Sequence, residues 1–494
     1  MKTILLTILF ILISVAFTFC QKQDRIWVFD DGVGLNFNNL SAPFAFNTGL
    51  KGIGGEDYAT ISDKDGGLLF HVNGADSVWV GTNNYPYDFS DVYDRNHMMM
   101  PNGDSLVGNL SCTQGSLIIP LPNDSIHYYI FKNNINSPVI TGMQRGLYYS
   151  VVDMTTNGGL GDVVSKNNLL HAAILTEKLS ACKHGNGRDW WVLSHESNNN
   201  HFIEFLVTPA GINGPYIQNT GTLFQNSGAN GVLGPIKFSK DGTRCAMVGI
   251  PNIINVFDFD RCTGLLSNQI TIPSNNTYVA GSSLYGCELS PNGNIIYIST
   301  EDSLYQYDLT AANISSSKIN LWSDTVTKFV LGQMLLAPDY KIYIAGLYGG
   351  IGTTNNPNIF YNSFNMNLSV INDPNIPGNG CNFSPLSFYL GGKRCMFGLP
   401  NMVNYNLGPS GLCNIGINEI TPYEKYCLSI SPNPVKQFCN VSSDRFMQAT
   451  LKIYDVTGRE LFSGAFTKNA WIDFTRYFDG IYFIQLTKDR KAHV

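Results

Sequence analysis

Short apolar runs alternate with polar turns through most of the chain, and one arrangement recurs. An apolar stretch leads into a turn built on Asp or Asn, usually followed by Gly, and an alternating strand leaves it. Thr60-Ile61-Ser62-Asp63-Lys64-Asp65-Gly66-Gly67 runs into Leu68-Leu69-Phe70-His71-Val72. Lys237-Phe238-Ser239-Lys240-Asp241-Gly242 runs into Cys245-Ala246-Met247-Val248, and Glu288-Leu289-Ser290-Pro291-Asn292-Gly293 into Ile295-Ile296-Tyr297-Ile298. Leu335-Leu336-Ala337-Pro338-Asp339-Tyr340 runs into Ile342-Tyr343-Ile344. Asp-Gly and Asn-Gly suit tight hairpins because both residues tolerate the positive φ that matches strand twist.

The turn residues Asp241, Asn292 and Asp339 lie about fifty positions apart, the length of a four-stranded propeller blade. More divergent units read over 117–153, 179–205 and 383–397, which makes seven units between about residues 24 and 407. The pattern predicts an all-β chain: a seven-bladed β-propeller followed by a small antiparallel β-sandwich. A pair of β-sandwiches is the rival for the body. Helical periodicity is nearly absent, with a helical turn allowed only in short segments such as 164–177.

Residues 408–424 are rich in Pro, Gly and Asn and read as a linker. Beyond them, strand patterns alternate with the turns Pro432-Asn433-Pro434, Asp455-Val456-Thr457-Gly458 and Asp479-Gly480, which delimits the sandwich as residues 425–494. At the other end, Lys2 precedes an apolar run from Ile4 to Phe19. This is the form of a secretory signal peptide, residues 1–20, and leaves the propeller as 21–407. Cys20 as a lipoprotein acylation site is the alternative, which bulky Phe19 fits badly. No other stretch is long and apolar enough for a helical membrane span.

Composition agrees. Charged residues are 14%, against 48 Gly, 25 Tyr and 29 Phe, which disfavours a charged disordered chain or a long coiled coil. A formal charge of −6 gives no footprint for neutralising nucleic-acid phosphates. The cysteines beyond Cys20 show no CxxC pair and no regular spacing, so neither a zinc site nor a disulfide framework is indicated. Cys245, Cys287 and Cys395 sit in apolar patterns and read as buried free thiols, while Cys427 and Cys439 could form a local bridge.

Three tail motifs carry a family resemblance. Ser431-Pro432-Asn433-Pro434, Ile453-Tyr454-Asp455-Val456-Thr457-Gly458-Arg459-Glu460 and Gly480-Ile481-Tyr482-Phe483-Ile484 resemble the C-terminal type A sorting domain of type IX secretion cargo in Bacteroidota. The resemblance implies a sorting signal at Pro432, Asn433, Pro434, Tyr454, Asp455, Gly458, Gly480 and Tyr482. It also implies recognition by the outer-membrane translocon, then removal as the cargo is released or anchored at the surface. The end of the chain, 488–494, is a loose version of the family's short basic tail. The body resembles a group of uncharacterised Bacteroidota surface β-propeller proteins. Ile26-Trp27-Val28-Phe29, Cys112-Thr113-Gln114, Gly158-Gly159-Leu160-Gly161-Asp162 and Asn186-Gly187-Arg188-Asp189-Trp190-Trp191 are among the residues that carry it. That group implies no activity.

Candidate chemistry is thin. Neither a Gly-x-Ser-x-Gly elbow nor a phosphate-cradling Gly-x-x-x-x-Gly-Lys-Ser/Thr loop occurs. His195-Glu196 lacks the second His of a zincin at position 199, which is Asn, so the cluster of His184, Arg188, Asp189, His195, Glu196 and His201 reads as structural. Asp63-Lys64-Asp65-Gly66 opens like a Ca²⁺ loop but lacks the closing Glu. Asp153, Asp258 and Asp308 end strands, which suits a turn or the rim of a central channel. Tyr85, Tyr87, Tyr93, Tyr348 and Tyr361 fall in loops where a glycan or protein ligand could stack. The reading is a secreted or cell-surface binding or structural module that reaches its location through the periplasm, with no catalysis, cofactor or metal. The alternative is an extracellular propeller hydrolase or lyase acting on polysaccharide or peptide.

Overall fold

The computed structural model describes residues 21–50, 55–74, 89–109, 111–135, 142–223, 233–249, 252–273, 284–300, 302–324, 326–327, 329–348, 361–410, 413, 428–431, 435, 437–443, 449–455, 459–477, 480, 482–488 and 491–493. The chain forms two compact units, Met1–Asn414 and Ile415–Val494. The leader 1–20 lies outside the described residues. Among the described residues no helix is long and apolar enough to cross a membrane.

The first unit is all-β apart from single turns of 3₁₀ helix. In chain order it carries a three-stranded sheet (26–47) and then four-stranded sheets over 59–107, 116–172, 175–219, 236–273, 284–323 and 329–389. The first strand of a four-stranded sheet is its buried edge and the last its more exposed edge, except in the second sheet, where Leu106–Val107 is also buried. In the fourth sheet, Leu175–Lys183 is buried almost throughout and Gly211–Asn219 is mostly exposed. First strands of successive sheets lie side by side.

Apolar residues seal the joints. Phe70 and Val72 share a core with Ile118, Leu179 and Val192, across the second, third and fourth sheets. Trp191 and Phe202 meet Phe257 across the fourth and fifth sheets, Val248 meets Ile298 across the fifth and sixth, and Tyr297 meets Ile344 across the sixth and seventh. Tyr343 and Leu368 of the seventh sheet pack back on Trp27 and Phe29 of the first. The first and second sheets meet through polar groups: Ser62 Oγ accepts the Ile26 N–H at 3.2 Å and Thr60 Oγ1 that of Val28 at 3.1 Å.

The recurring turn has the chemistry its residues predict. In the fifth sheet Ser239 Oγ donates to Asp241 at 2.5 Å and accepts Arg244 N–H at 2.9 Å. In the sixth, Ser290 Oγ donates to Asn292 at 2.7 Å and accepts Ile295 N–H at 3.0 Å, with Gly293 at φ 70°. The seventh sheet keeps the turn with Tyr340 at φ 67°.

The units are phased differently from the sequence reading. The three-stranded sheet 26–47 turns on the short connection Asp30-Asp31-Gly32 and is the sheet the repeat pattern misses. The last predicted unit, 383–397, is not a sheet: Phe383–Tyr389 is the outer strand of the seventh sheet, paired to Asn367–Ile371. Residues 162–172 and 175–183 are strands, which removes the helical turn allowed at 164–177.

Residues 395–410 do something the repeat pattern does not contain. Met396 N–H donates to Asp30 in the first sheet, Asn401 N–H to the Tyr58 carbonyl before the second, and Leu399 N–H to Gln333 in the seventh. Tyr405 Oη donates to the Ile118 carbonyl of the third sheet, Lys183 of the fourth donates to the Tyr405 carbonyl, and Asn404 Nδ2 donates to the Lys240 carbonyl in the first turn of the fifth. Only a path along the axis reaches the inner strands of so many sheets, so this segment fills the middle of the ring. Gly398 is required there, since a Cβ would lie 2.5 Å from Glu56 Cα.

The segment continues into residues predicted as linker. Gly408 accepts from Arg261, Ser410 N–H donates to the Gly185 carbonyl, and Cys413 is disulfide-bonded to Cys262 at a sequence separation of 151. That bridge is absent from the sequence reading because its partners share no local spacing. Cys245, Cys287 and Cys395 are free and buried, as their apolar settings predict, and Cys439 is also a free thiol rather than a partner of Cys427.

In the second unit, one sheet orders Leu428–Ser431, Phe438–Ser443 and Asn469–Asp473, and another orders Glu460–Phe466, Ala449–Asp455, Tyr482–Lys488 and Lys491–His493. Val441 and Ile472 of one sheet and Leu451, Ile453 and Leu486 of the other belong to one apolar core.

Candidate functional site

The strand-ending aspartates are turn residues. Asp153 Oδ1 accepts Thr155 N–H at 2.8 Å and Asp308 Oδ1 accepts Thr310 N–H at 2.8 Å, while Asp258 accepts Asn268 Nδ2 at 2.8 Å on the surface. Asp63 Oδ1 likewise caps the N–H groups of Asp65 and Gly67, so the Ca²⁺-like stretch is a hairpin. Among the described residues no group of three or more His, Cys, Asp or Glu is arranged to hold a metal ion.

The histidine-rich stretch is divided among structural tasks. Arg188 makes a fork to Asp189 at 2.7 and 2.8 Å, and Trp191 Nε1 donates to the Arg261 carbonyl at 3.0 Å. His195 is buried edge-on against Phe202, and burial pushes its imidazole down to about 3. Glu196 Oε1 sits 3.2 Å from His171 Nε2 and its Oε2 2.9 Å from His201 Nδ1, which ties the third sheet to the fourth.

Of the loop tyrosines, Tyr93 is buried and stacked on His71 rather than presented to solvent. Tyr361 is 47% exposed, with its hydroxyl on Asp31 and Arg394 over its ring. Tyr85, Tyr87 and the side chain of Tyr348 lie outside the described residues.

The charged groups at the ring axis come instead from the N-terminal ends of inner strands. Thr113, ahead of Ser116–Pro120, donates its N–H at 2.9 Å and its hydroxyl to Glu177 Oε2 in Leu175–Lys183. Tyr285, in Leu284–Leu289, donates to Glu56 ahead of Ala59–Ser62. Burial raises the Glu56 carboxyl, the Glu177 charge raises it further, and hydrogen bonds from Tyr285 and Thr113 oppose. Burial raises Glu177 as well, against Thr113 and Lys178. Lys178 donates to the Leu233 and Gly234 carbonyls at 3.0 and 3.1 Å, and burial lowers its ammonium to about 8. Glu56 and Tyr285 are partly exposed, whereas Thr113 and Glu177 are buried. Neighbouring carboxyls whose affinity for protons is raised by burial are the raw material of acid–base chemistry.

Amides knit this cluster to the axial segment. Gln114 Nε2 donates to the Ile236 carbonyl at 3.0 Å and to Asn401 Oδ1 at 3.1 Å. Asn401 Nδ2 donates to the Ser116 and Leu179 carbonyls at 3.0 and 2.8 Å. Gln333 donates to the Thr113 carbonyl. Beside them Lys132 is fully buried on Asp57, with Ser90 at 2.9 Å and Ser116 at 2.6 Å from its ammonium. Sequence reasoning reached Thr113 and Gln114 only as part of a resemblance. Glu56 and Glu177 carried no motif.

In the second unit, two sorting motifs sit on paired strands, with Asp455 opposite Tyr482 and Tyr454 opposite Phe483. Tyr454 Oη donates to Gln485 at 3.1 Å. Asp455 closes its hairpin by accepting Arg459 N–H at 3.1 Å. Tyr482 packs with Phe474 and Tyr477, and Gly480 is exposed just before its strand. Pro432, Asn433, Pro434 and Gly458 lie outside the described residues.

The sequence matches none of the curated proteins. The first unit is similar to solved chains at the level of fold. A functionally unknown protein from Desulfotomaculum acetoxidans is 16% identical, with a TM-score of 0.38 over 78% of this chain and 99% of that one. The periplasmic gluconolactonase of Pseudomonas aeruginosa is 11% identical, with a TM-score of 0.36 over 79% and 96%. The Cps50 (Swd1) β-propeller domain of Myceliophteria thermophila is 10% identical, with a TM-score of 0.36 over 66% and 95%. The second unit meets a family directly: residues 429–494 match the secretion system C-terminal sorting domain, and so the tail of this β-propeller protein is a type IX sorting domain, which implies export to the cell surface or beyond.

Proposed function

We propose that this chain is a secreted or cell-surface protein, led into the periplasm by residues 1–20, passed on by the type IX translocon, and built as a seven-bladed propeller that binds or scaffolds without catalysis. The observation that carries the reading is the sorting-domain match at 429–494. Consecutive sheets with shared cores, the seventh meeting the first, support one ring of seven blades. Two sheets around one core support a small β-sandwich in the tail. The ties at Gly408, Ser410 and Cys413 support a body that runs to Cys413, with a linker only from 414 to about 424 and a sorting domain over 425–494.

The non-catalytic reading is supported by the turn roles of Asp153 and Asp308, by the surface cross-strand bond of Asp258 and by an axis filled with chain. A glycan or protein ligand on the loops is the partner it calls for. One observation favours the hydrolase or lyase reading: Glu56 and Glu177 are neighbouring carboxyls with raised affinity for protons, partly open at Glu56.

A reporter fused to residues 423–494 is expected outside a type IX-competent host, and its retention in the periplasm overturns the address. A glycan array with a hydrolase panel separates the two roles. Binding without turnover supports the module, while turnover abolished by Glu177→Gln supports the enzyme.

A further inference from the structure

At the opposite end of the axis from Glu56, the C-terminal ends of the inner strands surround a small cavity. Asp24, Trp27, Lys237, Lys240, Glu288 and Met402 are among its lining residues, drawn from the first, fifth and sixth sheets and the axial segment. Its room is about 80 Å³, far below the ~300–1,000 Å³ of pockets for drug-sized molecules. It therefore suits only a very small ligand.

The polar groups here are not matched to one another. Asp24 Oδ1 is buried and accepts no hydrogen bond, and its nearest cation, Arg25 Nε, stands 3.7 Å away. The Trp27 indole N–H goes to the Asp24 carbonyl, not to its carboxylate. Lys240 holds its ammonium 4.2 Å over the Tyr340 ring. Lys237 meets Glu288 Oε2 only at 3.5 Å, and Glu288 already accepts Leu289 N–H at 2.9 Å and Leu336 N–H at 3.1 Å. The wall thus offers two ammonium groups with donors to give and one carboxylate oxygen that needs a donor. Buried polar groups are normally satisfied, so the complement of this wall is a molecule with an anionic end and a hydrogen-bond donor close to it.

We propose that this cavity binds a small hydroxy- or amino-carboxylic acid, with its carboxylate held by Lys237 and Lys240 and its hydroxyl or ammonium donating to Asp24 Oδ1. The proposal concerns the body alone and stands whether or not the tail is an export address.

The test is calorimetric titration of the full mature chain with glycolate, lactate, glycine and alanine. Acetate (no added donor) and ethanolamine (no carboxylate) are the controls. At least one of the four is expected to bind, with acetate and ethanolamine at least about tenfold weaker. Glycolate against glycine distinguishes a hydroxyl from an ammonium at Asp24. Asp24→Asn and Lys240→Met are each expected to weaken binding about tenfold, with the unliganded melting transition retained as the check on folding. Acetate binding as tightly as glycolate and glycine, binding undiminished in both folded variants, or no heat from any of the four acids overturns the proposal.

Discussion

The two units of this chain are held together by different means. In the body, cohesion runs through side chains far apart in sequence: Gln114 and Asn401 are 287 residues apart, Gln333 and Thr113 are 220 apart, and a disulfide spans 151. In the tail, the described strand pairings stay within a few tens of residues, such as Asp455 with Tyr482, around one apolar core with no buried ion pair among the described residues. A closed ring must join its end to its beginning, and the axial segment does so with amides. A small sheet pair closes on itself locally. The contrast gives each unit its own means of closure.

Substitutions in the body should therefore leave the tail's own unfolding transition unmoved. The largest effect is expected from Lys132→Met, which strands Asp57 in the interior. Breaking a buried pair costs about 3–5 kcal/mol, read as a fall in the body's denaturant midpoint. Asn401→Ala follows. It removes the amide donor from the Ser116 and Leu179 carbonyls and one of the acceptors of Gln114, at about 1–3 kcal/mol for each buried group left unsatisfied, and less where the site relaxes. Loss of the bridge in Cys262→Ser is expected to cost about 2–4 kcal/mol, with the difference from the native body vanishing when both are measured in reductant.

The pH response differs in sign between the units. Burial raises Asp30 to about 7 and Glu204 to about 8. A carboxyl with a raised folded pKa stabilises fully below its unfolded value and loses that contribution as pH rises through the folded value. The body's midpoint should fall from pH 7 to 8, a window above the ordinary histidine value where the buried His71 and His195 add only a small opposing slope, and below the range in which the lowered Lys178 and Lys183 reverse it. Glu204→Gln should flatten the fall. Asp473 in the tail is shifted downward by hydrogen bonds from Thr475, so its contribution is lost only as pH drops below the usual carboxylate range. The smallest effect is expected from Gly293→Ala: the position has φ 70°, and an added Cβ would meet only the Ser239 Cβ, at an ordinary contact distance of 3.6 Å, so the cost is backbone strain, about 1 kcal/mol.

What the sequence discloses follows the same division. The Ser239–Asp241 and Ser290–Asn292 turns are legible because their side chains bond residues two to five positions away. Tyr454, Asp455 and Tyr482 are legible because they fall in contiguous motifs that resemble the sorting-domain family, although their strands pair across two intervening ones. The first sheet escapes notice because its strand connection, Asp30-Asp31-Gly32, is shorter than the repeated turn, and because its inner edge is completed by Ser62 and Thr60 of another sheet. The axial segment reads as one more blade because Cys395, Leu399 and Val403 are as apolar as strand residues. Burial at an axis and burial in a sheet demand the same composition. Glu56 and Glu177 have no local signature at all, since their partners Tyr285 and Thr113 belong to other blades.

Differential scanning calorimetry of the body cut at Asn414, against the full chain, tests the separability of ring and label most directly. The body's transition should keep its midpoint and enthalpy when residues 415–494 are removed, while the full chain shows one further, smaller transition. Loss of the body's cooperative transition on removal of the tail would contradict it.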